Sequence, residues 1–189
     1  MEKIIYLLKI GNLDQSLLNN LKSQLEQELN ELDIRVKIIK DQINLAESEY
    51  NESKKQFSAF IILKRIKRKF QNKEFFRILG ILDESIYSKK RDFVFGLAHM
   101  KFRVAIISLT PLREKFYKET GKLYRKHETG KDIEKRIFKE AVHELGHTFG
   151  LTHCENLCVM RFSNNLKEAD DKSPKFCNSC FKFLKKVLN

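Results

Sequence analysis

Residues His143 to His153 run His-Glu-Leu-Gly-His-Thr-Phe-Gly-Leu-Thr-His, and this string constrains the fold more than anything else in the chain. The first two histidines lie four residues apart. On a helix that spacing stacks them one turn apart on one face, so both imidazoles can reach a single ion. Glu144 follows the first of them and points nearby without joining the ligands. Gly150 allows a positive φ, so the chain can leave the helix and return with His153 as a third ligand. Three neutral imidazoles with a fourth position open describe a catalytic zinc site; a structural site would be closed.

Apolar periodicity agrees with the string. Ile133, Ile137, Phe138, Ala141, Val142, Leu145 and Phe149 occupy one half of a helical circumference, and His143 and His147 fall on the other. The pattern predicts a helix over 131–149 that buries one side and turns its histidines to a cleft. Thr129-Gly130-Lys131-Asp132 supplies an N-terminal cap for it.

All four cysteines lie between 154 and 180: Cys154 and Cys158, then Cys177 and Cys180. Two close pairs separated by a loop have the spacing of a four-thiolate structural zinc site, which would order a segment with little secondary structure of its own. A reducing compartment favours thiolate–zinc; disulfides are the competing reading. His153 and Cys154 are adjacent, and successive side chains of extended chain point to opposite sides. One short stretch can therefore serve two separate metals.

Upstream, strands are predicted at 3–9, 34–38, 76–82, 93–97 and 104–109, and helices at 14–32 and 54–70, with 40–53 as a loop. From 150 the chain reads as irregular until a short helix near 178–188. This order predicts an α+β mixed sheet with packed helices. It is one domain over 1–189, with an upper lobe 1–149, a lower lobe 150–189 and a cleft floored by the motif helix.

The 189 residues contain no apolar run of 18, and residues 1–9 lack a signal-peptide pattern, which points to a cytoplasmic protein without a membrane span. The formal charge of +12 raises nucleic acid as a partner. The densest basic run, Lys64 to Lys69, lies inside a helical pattern and is explained by a solvated face. His99, His127 and Tyr124 read as surface or packing residues, with a secondary candidacy for assisting an oxyanion.

At the histidine string, at Cys154, at Cys158-Val159-Met160 and at Cys177-Asn178-Ser179-Cys180, the chain resembles the archaemetzincins, zinc peptidases of the metzincin clan. Asp92 to Gly96 and Ile106 to Leu109 resemble the family more loosely. The resemblance implies a zincin fold with a small zinc-stapled C-terminal lobe, and His143, His147 and His153 as ligands of a catalytic zinc. It implies Glu144 as general base and acid toward a zinc-activated water, and Cys154, Cys158, Cys177 and Cys180 as ligands of a second zinc. Met160 matches the methionine beneath the catalytic metal. Three residues separate Cys154 from Cys158 where the pattern has four. The expected function is peptide hydrolysis by a monomer acting on peptide or protein substrates. The alternatives are a peptide-binding module with little turnover, or nucleic-acid binding through the basic surface.

Overall fold

The computed structural model describes residues 2–89, 91–119 and 128–188. Tyr124 and His127 lie outside the described residues. Strand β1 (Ile4–Ile10) leads into helix α1 (Gln15–Leu29), which Asp14 caps by accepting from the Ser16 backbone N–H at 2.9 Å. A 3₁₀ turn, Asn30–Leu32, finishes the leucine-lined helix that the periodicity extends to 32. Next come β2 (Arg35–Ile38), β3 (Tyr50–Asn51), β4 (Gln56–Ser58) and helix α2 (Ala59–Lys69). They are followed by β5 (Arg77–Leu82), β6 (Ile86–Ser88), β7 (Arg91–Val94), β8 (Gly96–His99) and β9 (Val104–Ser108). The chain ends with α3 (Glu114–Glu119), α4 (Gly130–Thr148), α5 (Leu166–Asp171) and α6 (Asn178–Leu188).

The main sheet has the order β2-β1-β5-β9-β8. Its first four strands are parallel, and β8 runs antiparallel to β9 along the edge. The sheet is therefore mixed, as the sequence predicts. Burial on both faces explains why β5 and β9 are almost continuously apolar. The period-two alternation assigns the faces. Ile5, Leu7, Leu79, Ile81, Ala105 and Ile107 pack with the apolar sides of α1 and α4. Leu8, Ile10, Ile78, Leu82, Val104 and Ile106 pack against α2. The C-terminal segment joins the first of these cores through Cys158, Val159, Met160, Ala169, Cys180 and Leu184.

Four expectations change. The run 93–97 is not one strand. It breaks at Phe95, where the chain passes from β7, in a second small sheet of order β3-β4-β6-β7, to β8 in the main sheet. The helix expected over 54–70 starts at Ala59, because Gln56–Ser58 pairs with β3 and β6. Part of the expected 40–53 loop is a 3₁₀ turn, Glu47–Glu49, leading into β3. The stretch after 150 also contains α5, capped by Asn165, which accepts from the Glu168 N–H at 3.0 Å.

Among the described residues no helix is long and apolar enough to cross a membrane.

Candidate active site and metal centres

Helix α4 carries the first half of the site. Its start is a reciprocal cap: Thr129 Oγ1 accepts from the Asp132 N–H at 3.3 Å, and the Asp132 carboxylate accepts from the Thr129 N–H at 3.1 Å. Its end is a Schellman turn, with Leu151 N–H on the Gly146 carbonyl and Gly150 N–H on that of His147, both at 3.1 Å. Gly150 sits at φ +100°, the left-handed excursion expected of it. The turn aims a carbonyl back at the site, since Leu151 O accepts from His147 Nδ1 at 2.7 Å. Val159 O accepts in the same way from His143 Nδ1 at 2.9 Å.

A carbonyl can only accept, so both Nδ1 atoms carry the proton and both Nε2 atoms present a lone pair. These two Nε2 atoms lie 3.1 Å apart. Zinc–nitrogen bonds of about 2.0–2.1 Å in a tetrahedron place ligand nitrogens about 3.3 Å apart, so the pair is spaced for one ion. His153 joins from the returning chain, and one ligand atom from each of the three rings lies within 4.8 Å of the others. Burial lowers the affinity of all three rings for a second proton, most strongly at His143, which keeps them in the neutral, metal-binding form. Phe162 supports His153, with ring centroids 4.8 Å apart.

Glu144 is buried beside this trio. Burial raises its pKa well above the ordinary carboxylate range, and the neighbouring Glu140 raises it further. A Cβ on Gly96 would stand 2.6 Å from Glu144 Cγ and 2.8 Å from the Ile106 carbonyl. The edge strand thus approaches the glutamate closely only because position 96 has no side chain. Beneath α4, Met160 packs where any Cβ on Gly146 would collide with its sulfur. A cavity of about 350 Å³ opens above, lined by the three histidines, Glu144, residues of β7 and β8, and the Phe162–Asn164 segment.

Several lining residues escape the sequence reading, among them Arg91, Phe162 and the buried ion pair of Glu140 and Lys172, at 3.3 Å. Glu140 lies one turn before Glu144 on the same helix face, so its spacing was the available signal. Lys172 follows α5 and has no such mark. His99 stands apart from the cleft lining. It stacks on Phe102 with centroids 3.6 Å apart and accepts from the Phe102 N–H, a structural role.

The four cysteines form no disulfide, and their sulfurs lie within 4.8 Å of one another. Cys154 and Cys177 Sγ are 3.8 Å apart, which matches the roughly 3.8 Å separation that zinc–sulfur bonds of about 2.3 Å give in a tetrahedron. Backbone N–H groups of Met160 and Cys177 point at Cys158 Sγ, at 3.4 and 3.2 Å. The shortened Cys154–Cys158 interval therefore still brings Cys158 into the cluster. The Cys180 N–H lowers the Cys177 pKa to about 6, whereas burial raises Cys158 and Cys180. Both donor sets fit zinc chemically: imidazoles with an open side, and four thiols that close a tetrahedron.

The model of peptidase family M54 matches residues 1–186. The archaemetzincin of Pyrococcus furiosus is 33% identical over 190 residues, covering 100% of this chain and 95% of its own length. That of Nanoarchaeum equitans is 38% identical over 153 residues, covering 81% of this chain and 75% of its own. Among solved structures, the archaemetzincin of Methanopyrus kandleri aligns with a TM-score of 0.81 at 29% identity, over 99% of this chain and 96% of that one. A zinc-dependent peptidase of Methanocorpusculum labreanum aligns at 0.79 and 30%, over 95% of this chain and 99% of that one. The chain belongs to peptidase family M54, the archaemetzincins, and is a zinc metallopeptidase.

Proposed function

We propose that the chain hydrolyses peptide bonds at the His143–His147–His153 centre, with Glu144 as general base and then general acid. Cys154, Cys158, Cys177 and Cys180 hold a second, structural zinc, giving two per chain in one domain of 189 residues. The observation that carries the reading is the pair of outward-facing Nε2 atoms, 3.1 Å apart, with a buried carboxyl on the next residue.

Zinc held by His143, His147 and His153 would supply Lewis acidity, making the attacking water more acidic and the scissile carbonyl more electrophilic. The residues do the rest. The Val159 and Leu151 carbonyls fix the two imidazole tautomers and hold the rings in place. Glu144 takes the proton of the attacking water and returns it to the leaving amine. Its burial keeps bulk water from competing for that proton. The free edge of β8 offers main-chain hydrogen bonds to an extended peptide, and Gly96 keeps that edge close to Glu144.

The test is Glu144→Gln. Turnover on a peptide library should fall by about 10²–10⁴-fold, the range for loss of a general base, while metal analysis still finds two zincs. Undiminished hydrolysis would remove Glu144 from the reaction. A wild-type chain that retains peptides without cleaving them would favour the peptide-binding module.

A further inference from the structure

We infer that Arg91 makes the cleft selective for substrates that bring a carboxylate to its mouth, whether an acidic side chain or the free C-terminus of a peptide. The inference rests on the peptidase reading. Arg91 is the first residue of β7, and the β6–β7 hairpin overhangs the cleft: Ser88, Arg91 and Phe93 line it from that side. The guanidinium lies over the Phe162 ring, 4.4 Å from its centroid. Its Nη1 donates to Asn164 Oδ1 at 3.1 Å. Phe162 also packs on the His153 ring, so the cation is pinned one ring away from the third imidazole. A side chain held this way gives up little freedom when it binds.

Arg91 has no carboxylate partner among the described residues. Asp92, next in the chain, is 95% exposed and pairs with Lys54 instead. Glu168 spends its carboxylate on the backbone and side-chain N–H groups of Asn164 and on the Asn165 side chain. A guanidinium carries five N–H donors in a fork that matches a carboxylate, and a single donation to Asn164 leaves most of that fork free. The other cation of the cleft, Lys172, is already engaged: it is buried and donates to Glu140 at 3.3 Å. A fixed, unneutralised arginine beside the third imidazole, on a chain with 37 basic and 25 acidic residues, attracts anionic groups. A purely structural clamp would need the ring stack and one hydrogen bond alone. It would hold the 161–164 segment to the hairpin and leave substrate choice untouched.

The test uses the zinc-loaded full chain and a peptide series. Glu and Gln are exchanged at each position flanking the cleaved bond, and every peptide is made both as the free acid and as the C-terminal amide. Wild-type kcat/KM should favour the carboxylate member of a pair by about five- to tenfold, with the preference shrinking in high salt. Arg91→Lys should keep part of it, Arg91→Gln should bring the ratio near one, and Arg91→Glu should reverse it toward the Gln or amide member of each pair. Whether the Glu/Gln pairs or the acid/amide pairs respond identifies the source of the carboxylate. An Arg91→Gln ratio equal to wild type, with peptides still cleaved, overturns the inference and leaves the peptidase reading standing. Titration of the same pairs against Glu144→Gln provides a readout without turnover. Arg91-dependent binding there, with no wild-type cleavage, retains the carboxylate site and removes hydrolysis.

Discussion

The set of three imidazoles and the set of four thiols meet at neighbouring residues, His153 and Cys154, yet the chain holds them in different ways. Two of the three histidines stand on a 19-residue helix whose apolar side is buried against the sheet and α1. Backbone carbonyls then fix both rings. That half of the site is built by packing. The cysteines come from a turn at 154–158 and from the start of α6, joined by a stretch whose one regular element is the six-residue α5. Sulfurs 3.8 Å apart, with N–H groups aimed at Cys158, are an arrangement that an ion completes. If each set holds an ion as proposed, one centre is preorganised by the fold and the other organises it.

Replacing one member of each set breaks the comparison most directly. Cys180→Ser should cost more than about 4 kcal/mol, a loss seen when a structural metal goes, and should abolish peptidase activity because His153 is bonded directly to Cys154. His147→Ala should abolish activity as well, yet cost about 1–2 kcal/mol, since the helix keeps its packing. Denaturant titration with zinc analysis reads both: each variant should carry one zinc fewer, and only the cysteine variant should unfold early. Equal destabilisation would mean that the histidine half also depends on its metal.

A second variant asks how much of the C-terminal segment the thiolates hold alone. Arg136 is completely buried on α4 and pairs with both Glu128 and Asp170 while donating to the Leu112 carbonyl at 3.0 Å. Lys139 adds bonds to the Ala169 and Asp170 carbonyls. These charges tie α5 to the motif helix. Arg136→Met removes a buried cation that both carboxylates share and should cost about 3–5 kcal/mol. Hydrogen exchange should show faster opening around 165–172 than around the cysteines. Uniform opening of both would make α5 and the thiolate cluster one unit.

The same division governs what the sequence reveals. The motif helix was legible because a 3.6 period over 19 residues, a Thr-x-x-Asp cap and the ligand spacing all agree. Strands β1, β5 and β9 were legible as apolar runs, and β2 as the alternation of Ile34, Val36 and Ile38. The break at Phe95 was hidden because Phe93-Val94-Phe95 is uniformly apolar, and Gly96, its one marker, serves a contact with Glu144 that only the folded chain makes. Helix α2 was expected five residues early because 54–58 has no periodicity of its own; pairing with β3 and β6 decides it. Helix α5 did carry a signal, Asn165 followed by Glu168 at capping distance, but six residues are too short for periodicity to register. Glu140 stands one turn before Glu144, but nothing local marks Lys172, its partner 32 residues on.

The smallest expected effect belongs to the hinge between the two centres. Gly150 has room for a methyl group, since a Cβ there would meet nothing nearer than Met100 Sδ at 3.5 Å. Its φ of +100° is the obstacle. Gly150→Ala should therefore cost about 1–2 kcal/mol through backbone strain alone. Strain at this turn shifts the Leu151 carbonyl that orients His147, so zinc at the imidazoles should weaken while the thiolate zinc stays tight. Competition with a chelator of graded strength separates the two ions. If both weaken in parallel, the hinge transmits strain across His153 into the cysteines, and the two centres are one mechanical unit.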